Sequence, residues 1–166
     1  MPYTSMPLRI DTDRLVLRQW SETDIAAHRA LVAERGGGMP SVEGNRRMID
    51  AQFEEQTRTG LALLTVRRRA EGDFIGYCGL TVGRASVDEP EIAYELFRHA
   101  HGLGCATEAA SAVVEAAVDT GRTRLWSSVR TWNAPSFRVL AKLGFTRDHV
   151  TPEEGGELVW LTRSLP

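Results

Sequence analysis

The chain has 166 residues and a formal net charge of −2, which is the size of one domain and gives no global attraction to nucleic acid or to an anionic membrane. With 42% hydrophobic and 25% charged residues the balance is globular, and a chain this long buries roughly 70% of its unfolded surface, so its core needs neither disulfides nor a structural metal. Cys78 and Cys105 have no Cys or His partner at ligand spacing and no apolar run approaches about 18 residues, which argues against a zinc or redox pair and against a transmembrane helix.

The opening MPYTSMPLRI has no apolar core of a signal peptide, so a cytoplasmic protein is expected. Residues 14–20 alternate Leu15 and Leu17 with Arg14 and Arg18, predicting a first strand. Residues 21–24 supply a helix-start signal for the periodic run IAAHRALVAER, which the glycines at 36–38 end. Met48, Ile49 and Phe53 recur at helical spacing between residues 42 and 60, predicting a second amphipathic helix. Residues 61–66 and 74–80 read as a β-hairpin around the turn Glu71-Gly72-Asp73. The basic run Arg67-Arg68-Arg69 closes the first of these strands and reads as a solvated strand end rather than a phosphate-binding patch.

Past Pro90, residues 91–97 alternate in period two, with Ile92, Tyr94 and Leu96 on one face and Glu91, Ala93 and Glu95 on the other. A helix over 107–118, a strand over 125–130, a helix over 133–143 stopped by Gly144, and strands over 145–150 and 157–164 complete the chain. The order β-α-α-β-β-β-α-β-α-β-β predicts one α+β sheet fold with early hairpins and later crossover helices.

The segment His101-Gly102-Leu103-Gly104-Cys105-Ala106-Thr107 joins a strand to a helix. Two glycines spaced by one residue ahead of a helix start expose backbone N–H groups to an anion such as a phosphate, and the same pattern also serves plain strand-to-helix connections. The missing third glycine and the lack of an opening βαβ unit exclude a dinucleotide-binding fold, and no Gly-Lys-Ser/Thr follows to make a Walker loop.

Four segments then carry a resemblance: TDRLVLR at 12–18, FIGYCGL at 74–80, GLGCATEA at 102–109 and NAPSFRVLAKLGF at 133–145. In this order they resemble the GNAT superfamily of acetyl-CoA-dependent N-acetyltransferases, and within it the RimJ/RimL-like branch of ribosomal-protein N-terminal acetyltransferases. The resemblance implies one GNAT domain over 1–166, with a mostly antiparallel mixed sheet of about seven strands, the fourth and fifth splayed, flanked by about four helices. It implies that the turn Gly102, Leu103, Gly104, Cys105, Ala106 and Thr107 holds the pyrophosphate of acetyl-CoA through main-chain amides. The pantetheine arm is expected along Ala93, Tyr94, Glu95, Leu96 and Phe97 and against Asn133, with His99, Ser136 and Arg138 also on the cofactor path.

The implied chemistry is direct transfer of an acetyl group to an amine, without a metal. Many family members place a Tyr in the last helix to assist the departing thiolate; Leu140 stands there, and the branch's alternative is Ser136. The general base is sought among Glu91, Glu95 and Glu157. His101 replaces the Trp that usually precedes the glycines, and Cys105 replaces a common Tyr; neither removes a main-chain donor, and an exposed Cys105 at a helix start would have a lowered thiol pKa. The acceptor is expected to be a peptide N-terminus or a small amine, bound between the loop 36–43 and the hairpin 149–156, and a homodimer fits the family. The alternatives are a non-catalytic acyl-CoA-binding module and, on the arginine run alone, a nucleic-acid-associated protein, which the net charge disfavours.

Overall fold

The computed structural model describes residues 2–166. Eight strands form one sheet, in spatial order β1 (Arg9–Asp11), β2 (Leu15–Arg18), β3 (Leu63–Arg68), β4 (Phe74–Thr81), β5 (Glu91–Leu96), β6 (Arg124–Arg130), β8 (Gly156–Ser164) and β7 (Thr146–Glu153). The helices are α1 (Ile25–Ala33), α2 (Val42–Thr59), α3 (Cys105–Asp119) and α4 (Ala134–Lys142). This is the expected mixed α+β architecture with one strand more than the pattern predicts. The extra strand, β1, has three residues and pairs Ile10 with Leu17; so short a segment carries no readable alternation.

Every neighbouring pair is antiparallel except β5 and β6, which run parallel and touch at a single register position, Glu91 with Trp126. There the Trp126 N–H donates to the Pro90 carbonyl at 2.9 Å, and beyond it the two strands diverge. The splay leaves main-chain groups of β5 without a neighbouring strand, which makes an edge inside the sheet.

Helix ends follow local chemistry. Ser41 Oγ accepts from the Gly44 N–H at 2.9 Å and starts α2, and Gly60 in the left-handed conformation ends it. Helix α3 begins at Cys105, two residues earlier than its pattern predicts, because Gly104 at φ 80° turns the chain directly into the helix. Its buried face is Ala109, Ala110, Val113 and Ala117, and these small side chains let the helix lie close on β4 and β5. They join the main apolar cluster with Leu15, Leu17, Leu64, Ile75 and Ile92. A second cluster of Trp20, Ile25, Leu31, Ile49 and Phe74 seats α1 and α2.

In the basic run Arg67 and Arg68 are half-buried and ion-paired, while Arg69 stays exposed at the strand end. Arg67 donates to the fully buried Asp24 at 2.5 Å, Arg68 grips Asp73 at 2.6 and 2.8 Å, and Arg69 lies 3.6 Å from Asp11. No helix among the described residues is long and apolar enough to cross a membrane.

Candidate active site

The turn between β5 and α3 is fixed from the other end of the chain. Glu108 Oε2 accepts from Thr12 Oγ1 at 2.5 Å and from the Arg14 N–H at 2.9 Å, while Oε1 accepts from Arg14 Nε at 2.7 Å. Arg14 Nη1 then donates to the Leu103 carbonyl at 2.8 Å. Gly102 and Gly104 both take positive φ, 75° and 80°, so the tight turn needs their freedom. The first bond of the α3 ladder runs from the Glu108 N–H to the Gly104 carbonyl, which leaves the N–H groups of Cys105, Ala106 and Thr107 outside the ladder.

Those three residues line a cleft of about 450 Å³ that runs from the turn along β5 to α4. Tyr94, Glu95 and Leu96 from β5, Gly102 and Gly104 from the turn, and Asn133, Ser136 and Arg138 from α4 share its wall. Asn133 starts α4 by accepting the Ser136 N–H on Oδ1 at 3.3 Å. Arg98, Arg138 and Lys142 put positive charge at the cleft, together with the turn amides; this is the donor set a diphosphate needs. Arg98 and Lys142 carry no motif and were legible only once the strand and helix converged. Four expected residues lie off this wall. Ala93 faces the opposite side of the sheet, Phe97 packs edge-on to Phe74 with His99 stacked on it, and the Leu103 side chain points to solvent. Cys105 is buried, so it presents no exposed thiol at the helix start.

On the other side of β5 lies a second cleft of about 540 Å³, lined by Glu91, Ala93, Glu95, Ser128 and Arg130 among others. The two clefts share Tyr94, Glu95, Asn133, Ser136 and Arg35, so they meet through the gap between β5 and β6. Glu91 is buried there, accepting from the Arg84 N–H at 2.6 Å and from Ser128 Oγ at 2.5 Å. Glu95 is bridged by Arg35, from Nε at 2.8 Å and from Nη2. The Tyr94 hydroxyl donates to the Ser136 carbonyl at 3.2 Å, and burial pushes its pKa up to about 12. Glu157 is exposed where β8 begins, opposite Pro152 on β7, and lines neither cleft. Leu140 is fully buried and projects into the core. Among the described residues no group of His, Cys, Asp or Glu could hold a metal ion.

A model of the acetyltransferase (GNAT) domain matches residues 14–146. The chain belongs to the GNAT acetyltransferase family. Its structure is similar to a GnaT-family acetyltransferase from Bordetella pertussis, with a TM-score of 0.84 and 22% identity over 95% of this chain and 99% of the other. An acetyltransferase from Agrobacterium tumefaciens matches with a TM-score of 0.79 and 26% identity, covering 97% and 96% of the two chains. RimJ of Mycobacterium smegmatis, solved in complex with CoA-disulfide, matches with a TM-score of 0.76 and 19% identity, covering 98% of this chain and 85% of that one. No curated protein gives a significant sequence match. Within this GNAT domain, the parallel but splayed pair β5 and β6 is what opens both clefts to a common point.

Proposed function

We propose that the protein transfers the acetyl group of acetyl-CoA to a primary amine, either a peptide N-terminus or a small molecule, by direct attack while both substrates are bound. The observation that carries this reading is the meeting of two clefts at Tyr94, Glu95, Asn133 and Ser136. One cleft ends at free helix-start amides and cationic side chains, the chemistry that fits a pyrophosphate. The other is lined by carboxylates, the chemistry that fits an amine.

In this reading the amides of Gly104 to Thr107 hold the pyrophosphate in place of water, helped by Arg98, Arg138 and Lys142. The unpaired edge of β5 takes the pantetheine arm as a pseudo-strand. Asn133, Ser136 and the Tyr94 hydroxyl border the reacting group, and the Ser136 hydroxyl offers a hydrogen bond to the departing sulfur. The attacking amine loses its proton to Glu91, whose oxygens face the second cleft between an N–H and a hydroxyl donor. Glu91 accepts only from neutral donors, whereas Glu95 is bound at both oxygens by the Arg35 cation, so Glu95 shapes the junction. Glu157, on the far hairpin, has no part in the step.

The test is calorimetric titration with acetyl-CoA of the wild type and of Gly104→Trp, followed by a thiol-release assay across amines. Micromolar binding that the variant loses, with amine-dependent thiol release, is the expected result. Binding without turnover on any amine would reduce the protein to an acyl-CoA-binding module, and no binding by folded protein would overturn the assignment.

A further inference from the structure

Helices α1 and α2 enclose, against the sheet, a third cavity of about 290 Å³ that lies apart from the pyrophosphate turn. Its aromatic wall is Trp20, His28 and Tyr77, with Trp20 edge-on to His28 at 4.9 Å and Tyr77 at 6.1 Å from each. Asn45 is 2% exposed, and its Nδ2 donates to His28 Nδ1 at 2.7 Å. That bond orients the amide and leaves Oδ1 buried with no donor among the described residues; Gln52 Oε1, from the next turns of α2, is in the same state. A buried carbonyl oxygen without a donor is costly, so these two are set to accept hydrogen bonds from whatever occupies the cavity.

The charge of that occupant is constrained. No carboxylate lines the cavity to compensate a cation. Its one cation, Arg35, is already held by Glu95 and is not free for an anion. Burial, and after it the charge of Arg35, hold His28 below its ordinary pKa, so the imidazole is neutral at pH 7. A flat uncharged group satisfies the aromatic wall, and a hydroxyl or N–H on it satisfies the amides. The volume lies near the lower end of the roughly 300–1,000 Å³ of small-molecule sites, which suits a single ring. Arg35 and Tyr77 line both this cavity and the carboxylate-lined cleft, so an occupant here continues toward the junction.

We propose that this pocket binds the non-reacting end of the acceptor amine, an uncharged aromatic ring whose hydroxyl or N–H donates to Asn45 Oδ1. The proposal rests on the acetyltransferase reading for its substrate, and its test separates the two. Tyramine and phenethylamine differ only in the ring hydroxyl; tyrosol keeps the hydroxyphenyl group and lacks the amine. Acetylation of tyramine is expected to exceed that of phenethylamine by about tenfold or more in kcat/KM, and tyrosol is expected to bind the wild type by calorimetry. Asn45→Leu brings tyramine down to the level of phenethylamine and abolishes tyrosol binding. Should that variant fail to fold, Gln52→Leu, in a less buried position, is expected to narrow the same ratio. Equal turnover of the two amines by the wild type, or no tyrosol binding, overturns the pocket and leaves the acetyltransferase reading standing. Tyrosol binding that Asn45→Leu abolishes, with no amine-dependent thiol release from acetyl-CoA across the whole panel of amines and peptides, upholds the pocket and overturns that reading.

Discussion

Arg35, just beyond the end of α1, grips the carboxylate of Glu95 near the end of β5 with two nitrogens. The pair stands where all three cavities come together, since Arg35 lines each of them. A planar guanidinium matched to a carboxylate in this two-point manner sets an orientation that an ammonium cannot. Arg35→Ala is expected to lower kcat/KM for the amine by about tenfold or more, with Arg35→Lys recovering little of it. Steady-state kinetics with the amine varied at saturating acetyl-CoA checks this, and full activity of the lysine variant would remove the geometric role.

The Thr12, Arg14 and Glu108 network holds the glycine turn ahead of α3 by charge-assisted bonds from a segment 94 residues away. Bonds to a charged group are stronger than neutral ones, and solvent screens only the exposed Arg14 side of this network. Glu108→Ala is therefore expected to weaken acetyl-CoA binding by at least about tenfold, although Glu108 does not line the cleft. Calorimetry on the folded variant reads this directly; an unchanged Kd would mean the glycines hold the turn without help.

His28 makes stability depend on pH. Its folded pKa is lowered, first by burial and then by Arg35, with Glu95 opposing. Below about pH 6.5, where the unfolded imidazole takes up a proton, the folded one does not. The unfolded state then binds more protons, so stability is full above that pH and is lost progressively as pH falls toward the lowered folded value. Urea midpoints measured at about pH 7.5 and about pH 5.5 should fall less in His28→Gln than in the wild type.

Asp24 is fully buried and its carboxylate accepts four hydrogen bonds, from the Ser21 N–H at 2.8 Å, Ser21 Oγ at 3.4 Å, Arg67 at 2.5 Å and Arg18 at 3.5 Å. Removing one member of a buried ion pair leaves the other uncompensated, which costs about 3–5 kcal/mol. Asp24→Ala is expected to lose that much in urea unfolding, and a loss under about 1 kcal/mol would show that water replaces the carboxylate there.

Elements set by neighbouring residues were legible before any fold was known. The alternation of residues 91–97 gave β5 and its two faces, Asn133 gave the start of α4, and the spaced glycines gave the turn into α3. Each of these is local: a backbone conformation, a cap or a period depends on residues within a few positions of one another. The glycines misled only by two residues, because a positive φ at Gly104 lets the helix begin at once.

What the tertiary structure alone decided is which distant groups meet. Arg35 lies 60 residues from Glu95, Asn45 lies 17 from His28, and Arg84 and Ser128 converge on Glu91 from either side. Glu157 and Glu91 look alike as acids at strand starts, yet one ends on an exposed hairpin and the other in a buried cleft. A charged side chain has no periodic signature of its partner, because the partner is chosen by how strands and helices pack rather than by sequence spacing. The sequence therefore determined the sheet, the helices and the turn, and packing across the splayed β5 and β6 determined which side chains share a site.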